Sequence, residues 1–339
     1  MTRSQEAPPA SAGDRVRARF ENQLYSPFAR TFCRLLQESA ACTHGSKSAL
    51  SDCDELWRLR VDTRARIAAQ LTLPTIPVIV EQLDAVLDSP NSRAADIADV
   101  VMMDAGLTVR VLALVNSPLC GMSRRIDSLE QAVSLLGIER IRSAVLTVSV
   151  IGSFSREAFG LDVSTHWEHS LAVATGAQLI GGVLKNRGTG SLDSNSLFLS
   201  GLLHDVGRLV VAQQLPDEFR AIRMAVNSQE AGFLEAELAI LGMTHSEIGY
   251  DLLTNWGLAP EICDAALNHH HAESNSDSAR VIHCADAIAH GLGYSPEGQP
   301  FPYTSPRVWE TLELSNQSVR GIAVGLTENM AAISDALLH

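Results

Sequence analysis

A chain of 339 residues, 46% hydrophobic but only 5% aromatic, can fill more than one core, and its plentiful Leu and Ala favour helices over a β-sandwich. The net charge of −13 excludes a protein whose main task is coating nucleic acid, because that binding needs a positive surface to release counterions. Apolar runs are all broken before the roughly 18 residues a membrane span requires, and the start, MTRSQEAPPASAG, lacks the apolar core of a secretory signal, so a cytoplasmic location is expected.

In chain order, residues 1–13 read as a polar Pro/Ala-rich tail. Val16, Phe20, Phe32, Leu35 and Leu36 then recur at helical spacing around a break at Ser26-Pro27, and a Ser- and Gly-bearing linker, ACTHGSKSALSDCD, follows. Two roles stay open for this extension: a helical cover on the main domain, or a helix that binds a partner or dimerises. The six cysteines (33, 42, 53, 120, 263 and 284) contain no CxxC pair and read as reduced thiols, and the Cys42/His44/Cys53 spacing fits no common zinc pattern.

From Thr63 a helical pattern runs into LPTIP at Leu73–Pro77, beyond which Ile79, Val80, Leu83, Val86 and Leu87 mark an apolar face. A turn over 88–92 precedes ADIADVVMMDAG, with Gly106 expected as a C-cap. Leu107, Val111, Leu114 and Val115 form the next stripe, which stops at Asn116-Ser117-Pro118. Asn116 is expected either to cap that helix or to present polar groups to a second lobe or a partner. Ser128 caps SLEQAVSLLG, Gly137 ends it, and another amphipathic helix follows. A second helical region runs from about Thr165 to Gly293, the Pro-rich GYSPEGQPFPYTSP breaks the pattern, and helices near 307–312 and 319–337 finish the chain. Period-two alternation is absent, so the chain is expected to be all-α.

Nine of the eleven histidines lie between 166 and 290. The pair His204-Asp205 interrupts the apolar run SGLLHDVGRLV, and a charged pair inside a buried helix is costly unless hydrogen bonds or a cation compensate it. Imidazole plus carboxylate suits a divalent ion such as Mn, Fe, Ni or Zn. Further donors are available in His169, His245, the run His269-His270-His271 and Asp286, while His166, His283, His290 and His339 read as surface or satisfied core residues.

The order His169, His204-Asp205, a His-His pair, Asp286 is similar to the HD superfamily of metal-dependent phosphohydrolases, and the chain more specifically resembles an HDOD domain. The matching segments are LPTIP at 73–77, DAGLTVRVLALVNSP at 104–118, AVSLLGIERIRSAVL at 132–146, HWEHSLAVA at 166–174, LLHDVGRLV at 202–210, HSEIGYDLLTNWGLAP at 245–260, the triple histidine and CADAIA at 284–289. The resemblance implies an all-α, two-lobed HDOD fold: a tail and helical extension over 1–66, a helical lobe over 67–155, an HD-like lobe over 156–292, and a C-terminal loop and helices over 293–339. It implies a metal-ligand set of His169, His204, Asp205, His245, His270, His271 and Asp286, with His269 as a register alternative, for a divalent metal such as Mn, Fe, Ni, Zn or Mg.

Departures accompany the likeness. The Gly-Tyr-Pro that follows the paired histidines in the related HD-GYP phosphodiesterases is replaced by AESNSDSARVIH, and the Lys common after the HD pair is Arg208, which keeps its charge but cannot give up a proton. The Asp-Pro of the first lobe is Asp104-Ala105. Two functions follow. One is a regulatory signalling module that works through protein partners, near cyclic-dinucleotide or two-component pathways, without turnover. The other is a metal-dependent phosphohydrolase with Asp205 and Arg208 at its catalytic centre. Neither calls for nucleic acid or a membrane, and an oligomer is compatible with both.

Overall fold

Several helices among the described residues begin where a short polar side chain caps the first turn. In the computed structural model, Asp104 Oδ1 accepts from Leu107 N at 2.9 Å, Ser128 Oγ from Gln131 N at 3.2 Å, and Asp162 and Asp193 accept from the amides two and three residues on. Described are residues 61–338 apart from 90–91, 121, 123, 155–156, 159, 189–191, 229–231, 274–275 and 296–303. The expectations for the N-terminal tail, its helices and the 41–54 linker, and for the middle of the Pro-rich loop, lie outside the described residues.

The labelled helices are α1 (Val78–Leu87), α2 (Ala94–Met102), α3 (Ala105–Val115), α4 (Leu129–Leu136), α5 (Ile138–Ser153), α6 (Val163–Asn186), α7 (Ser194–Leu203), α8 (Val206–Gln214), α9 (Pro216–Asn227), α10 (Phe233–Leu241), α11 (His245–Asn255), α12 (Pro260–Asn268), α13 (Asp277–Gly291), α14 (Pro306–Thr311) and α15 (Asn316–Leu338). Residues 61–68 are also helical, and the strands among the described residues are a two-residue antiparallel pair, β1 (Glu157–Ala158) and β2 (Leu161–Asp162). The all-helical expectation holds.

Two compact units divide the described chain. Residues 61–71 and 221–244 belong to one, in which α10 ends at Gly242, whose left-handed φ of 70° carries no Cβ penalty in glycine. The described residues of 72–220 and 245–338 belong to the other, which contains every candidate site residue. Within that unit α1–α5 pack on one another, and α6 packs against α7, α13 and α15. The Leu107, Val111, Leu114 and Val115 stripe is buried as its spacing requires. The LPTIP stretch and the residue before it lie against the ends of α11 and α8: Trp256 Nε1 donates to Pro74 O at 2.7 Å, and Gln214 Oε1 accepts from Thr72 N at 2.7 Å.

Three local expectations are revised or decided. Gly106 is not a C-cap: α2 stops at Met102, Asp104 starts a new helix, and Gly106 sits in its first turn. His204-Asp205 does not lie mid-helix but at a break, His204 being the C-cap of α7 and Asp205 the residue before α8, with φ −107° and ψ 11°. Asn116 braces its own hairpin, its Nδ2 donating to Leu112 O (2.8 Å) and Ile126 O (2.9 Å) while Oδ1 accepts from Ile126 N (2.7 Å).

Candidate metal centre

Two glycines set how closely the site-bearing helices approach. A Cβ on Gly201 of α7 would strike the Ala174 backbone of α6, and one on Gly207 of α8 would run into His245 O and Gly249 N of α11. Because these contacts are to backbone, no rotamer change relieves them, and only glycine lets the helices meet at this spacing. α6 thereby brings His169, the α7–α8 break brings His204 and Asp205, α11 brings His245, a 3₁₀ turn after α12 brings the histidine run, and α13 brings Asp286 and His290.

The imidazoles are oriented by the backbone. His169 Nδ1 meets Tyr294 O at 2.7 Å, His204 Nδ1 meets Gly201 O at 2.7 Å, and His269 Nδ1 meets Ala266 O at 2.8 Å. With Nδ1–H donated to a carbonyl, a neutral ring points its Nε2 lone pair the other way. This is the support that metal-ligating histidines ordinarily receive. Those lone pairs face carboxylates. Asp205 Oδ1 is 3.1 Å from His245 Nε2 and 3.4 Å from His269 Nε2, and His245 Nε2 is 3.1 Å from His270 Nε2. Asp205 Oδ2 faces the Arg208 guanidinium at 3.2 Å and His204 Nε2 at 3.6 Å.

Among the described residues three overlapping donor sets result, each with its ligand atoms within 4.8 Å of one another: Asp205, His245, His269 and His270; His169, His204 and Asp205; and His169, Asp286 and His290. His169, His204, Asp205, His245 and His269 are at most 2% exposed. Within this cluster Asp205 Oδ1, His169 Nε2, His269 Nε2 and Asp286 Oδ1 are buried yet lack a hydrogen bond of proper geometry. Buried polar atoms are rarely left so, and a shared divalent ion is what such converging lone pairs fit.

Protonation follows the same geometry. Burial pushes His204 down to about 3 and His270 well below the usual imidazole value, so both present lone pairs at neutral pH. Burial alone would raise Asp205, but Arg208 and the surrounding imidazoles hold it well below the carboxylate range. His169 is also lowered by burial, yet the adjacent Asp286 carboxylate brings its net shift upward.

Of the residues expected from sequence, His169, His204, Asp205, His245, His270 and Asp286 lie in these donor sets, and Arg208 lies beside Asp205. His271 is not in them; His269 takes part instead. The run His269–His271 is a single 3₁₀ turn, in which successive side chains diverge by about 120°, so three adjacent rings cannot share one direction. His290, expected from sequence to be a surface or satisfied core residue, instead joins a donor set; its spacing of four from Asp286, which places both on one helical face, is the signal that points to it. His283 is a satisfied core residue: Nδ1 meets His269 O at 2.8 Å and Nε2 accepts from Ser305 N at 3.2 Å.

The family model described as the HDOD domain matches residues 73–272, more than half the chain. The chain belongs to the HDOD family. An HDOD domain protein of unknown function from Geobacter sulfurreducens is 28% identical and superposes with a TM-score of 0.68 over 83% of this chain and 99% of its own. A Shewanella amazonensis SB2B protein named as a candidate metal-dependent phosphohydrolase is 19% identical, with a TM-score of 0.63 over 84% of this chain and 99% of its own. A Marinobacter aquaeolei VT8 protein named as a candidate signal transduction protein is 20% identical, with a TM-score of 0.61 over 95% and 66%. These two likenesses concern the HDOD fold. An uncharacterised protein of Treponema pallidum is 24% identical over 200 residues, which span 58% of this chain and 37% of that relative. No helix among the described residues is long and apolar enough to cross a membrane.

Proposed function

We propose that this HDOD protein is a bacterial signalling module that holds a divalent metal ion at the buried His/Asp cluster and acts through protein partners without catalytic turnover. The observation that carries this reading is the conjunction of donors and burial. The imidazole and carboxylate atoms converge as ligands do, while Asp205, with its helix break, is 2% exposed and Arg208 is 4% exposed. A metal held there would crosslink α6, the α7–α8 break, the 3₁₀ turn and α11, making the packing of these helices depend on the ion. A phosphohydrolase needs the same ligands with an open coordination position facing a substrate-sized cleft.

Residues able to hold the ion are Asp205, His245, His269 and His270, with His169, His204 and Asp286 adjoining them. When bound, a divalent ion supplies Lewis acidity and lowers the pKa of a coordinated water. Arg208 would hold Asp205 ionised and oriented through the 3.2 Å contact. Protein partners are supported by apolar surface at the α2–α3 corner, where Met102, Met103 and Val109 are exposed.

The second reading, a metal-dependent phosphohydrolase acting on a cyclic dinucleotide or another phosphoester, is favoured by the unsatisfied lone pairs beside a guanidinium. One experiment separates the two. The purified chain is assayed for bound metal and for turnover of cyclic dinucleotides and simple phosphoesters, beside Asp205→Asn. The regulatory reading expects metal without turnover, and a native-cell partner whose capture is lost in Met103→Glu. Turnover that vanishes in Asp205→Asn would make the protein an enzyme. Absence of metal from the wild type, even after incubation with Mn²⁺ or Zn²⁺, would remove the metal centre.

A further inference from the structure

α3 is apolar almost all the way round, Thr108 and Arg110 being its only polar side chains, so burying one face leaves a second apolar face behind. Leu107, Val111, Leu114 and Val115 go into the core. Val109, Leu112 and Ala113, at three- and four-residue spacing on another side, line an open groove of about 670 Å³ together with Met122, and Val109 is 67% exposed. Thr108 Oγ1 donates to Val101 O at 3.1 Å, which holds the end of α2 against the first turn of α3. The corner that carries Met102 and Met103, the latter 75% exposed, therefore adjoins the turn that carries Val109. Three of the chain's seven methionines thus border one apolar surface, and their unbranched thioether side chains adapt readily to a partner's shape. An apolar surface of this kind marks an interaction site.

Charge identifies the occupant. Arg124 and Arg125 line the same groove and are both exposed; Arg125 meets Asp127 at 3.4 Å, whereas Arg124 has no ion pair among the described residues. The groove therefore carries two guanidiniums against one carboxylate, on a chain whose net charge is −13. Asp99 and Asp104 flank the methionine corner instead, and Asp104 Oδ1 is taken up by the Leu107 amide. A basic edge on an acidic chain draws an acidic ligand, and arginine pairs with carboxylates in a two-bond fork. An anionic bilayer has the same sign, but it repels the acidic chain as a whole and does not fill a concave groove. The chain's own segment 14–38 has the wrong sign, with five arginines against three acidic residues.

We infer that the α3 groove is a docking site for an acidic amphipathic helix of a partner protein, whose apolar residues seat against Val109, Leu112, Ala113 and Met122 while its carboxylates pair with Arg124 and Arg125. This rests on the reading of the protein as a regulatory module and gives that module a partner chemistry. An amphipathic helix laid in a groove offers apolar anchors at i, i+3, i+4 and i+7, the same period on which α3 presents its open face. None of the groove residues belongs to the donor sets of the His/Asp cluster, so docking does not require the ion.

The test uses the full chain and two fluorescein-labelled synthetic peptides with Leu at i, i+3, i+4 and i+7, one bearing Glu and the other Lys at its polar positions, with binding read by fluorescence anisotropy. Expected is saturable, salt-sensitive binding of the Glu peptide, weakened about tenfold or more by Val109→Glu and by the double variant Arg124→Glu/Arg125→Glu. The double variant should bind the Lys peptide instead, a reversal that a misfolded protein does not produce, and circular dichroism should show unchanged helix content. Equal binding of both peptides by the wild type, or binding that the double variant leaves unchanged, would overturn the proposal. So would stronger binding to phosphatidylserine vesicles than to the Glu peptide, or a dimer in sedimentation equilibrium that Val109→Glu dissociates. A native-cell partner lost in Met103→Glu but retained by the double variant would overturn the acidic docking site and leave the regulatory reading intact. Phosphoester turnover that vanishes in Asp205→Asn, with the peptide reversal intact, would overturn the regulatory reading and sustain the groove.

Discussion

The Asn116 hairpin and the His/Asp cluster both set polar side chains among apolar helices, and they resolve the problem in opposite ways. Asn116 closes on itself: one donated bond returns to Leu112 O of α3, and one donated and one accepted bond tie the helix end to Ile126. The cluster satisfies only its outer half. The Nδ1 atoms of His169, His204 and His269 meet backbone carbonyls, while the Nε2 atoms of His169 and His269 and one oxygen each of Asp205 and Asp286 are left facing one another. A polar group saturated by its own chain reads as structure, whereas one oriented by its chain and left unsatisfied at the other end reads as a ligand.

The largest expected effect breaks the cluster at its centre. Asp205→Asn removes the carboxylate facing Arg208, His245 and His269, and should cost roughly 3–5 kcal/mol in metal-containing buffer, because it takes away the charge that a buried guanidinium and a bound ion both face. Chelator should lower the melting temperature of the wild type and hardly move that of the variant. Equal responses in thermal melts would place the ion elsewhere. Next comes helix spacing. Gly207→Ala forces a Cβ into the α11 backbone and should cost about 3 kcal/mol, the upper end for overpacking, with metal affinity falling as His245 is displaced. Denaturant titration and metal titration of the same sample check both parts.

A smaller effect appears against pH in the metal-free protein. Burial pushes His166 and His204 down to about 3, so below about 6.5 the unfolded chain takes up protons that the folded one refuses. Stability should therefore fall as pH drops from about 6.5 toward 3, by about 1.4 kcal/mol per pH unit for each histidine fully in this regime. His169, raised by Asp286, has the opposite sign: its contribution is present at low pH and lost as pH rises through its folded value. Asp205 and Asp286, both lowered, contribute above the ordinary carboxylate range and lose that contribution only on deeper acidification. Melting curves of chelator-treated protein that stay flat between pH 6.5 and 4 would mean that the cluster is wet and its histidines titrate freely.

The smallest effect belongs to the hairpin. Asn116→Ala should cost about 1–2 kcal/mol by urea titration, since it leaves the Ile126 amide and carbonyl to find water, and metal content should not change. A loss of metal in this variant would erase the contrast between the two regions.

Taken by itself, the order of residues determined the helical class, because apolar positions at three- and four-residue spacing can bury only as helix faces, as at Leu107, Val111, Leu114 and Val115. It also determined which side chains could be donors: His169, His204, Asp205, His245, His270 and Asp286 were legible as polar residues in apolar surroundings and in the order of a known family. Helix ends were legible where a capping side chain announces them, as at Ser128, and not at Gly106, where Asp104 was the operative signal. Tertiary structure alone decided which donors meet. His269 rather than His271 joins the cluster because rotation around one 3₁₀ turn selects the direction of each ring, and His290 joins because α6 approaches α13 at Asp286. That approach is a packing outcome, set by contacts far apart in the chain such as Gly176 of α6 against Ala285 of α13, and spacing along one stretch of sequence carries no record of it.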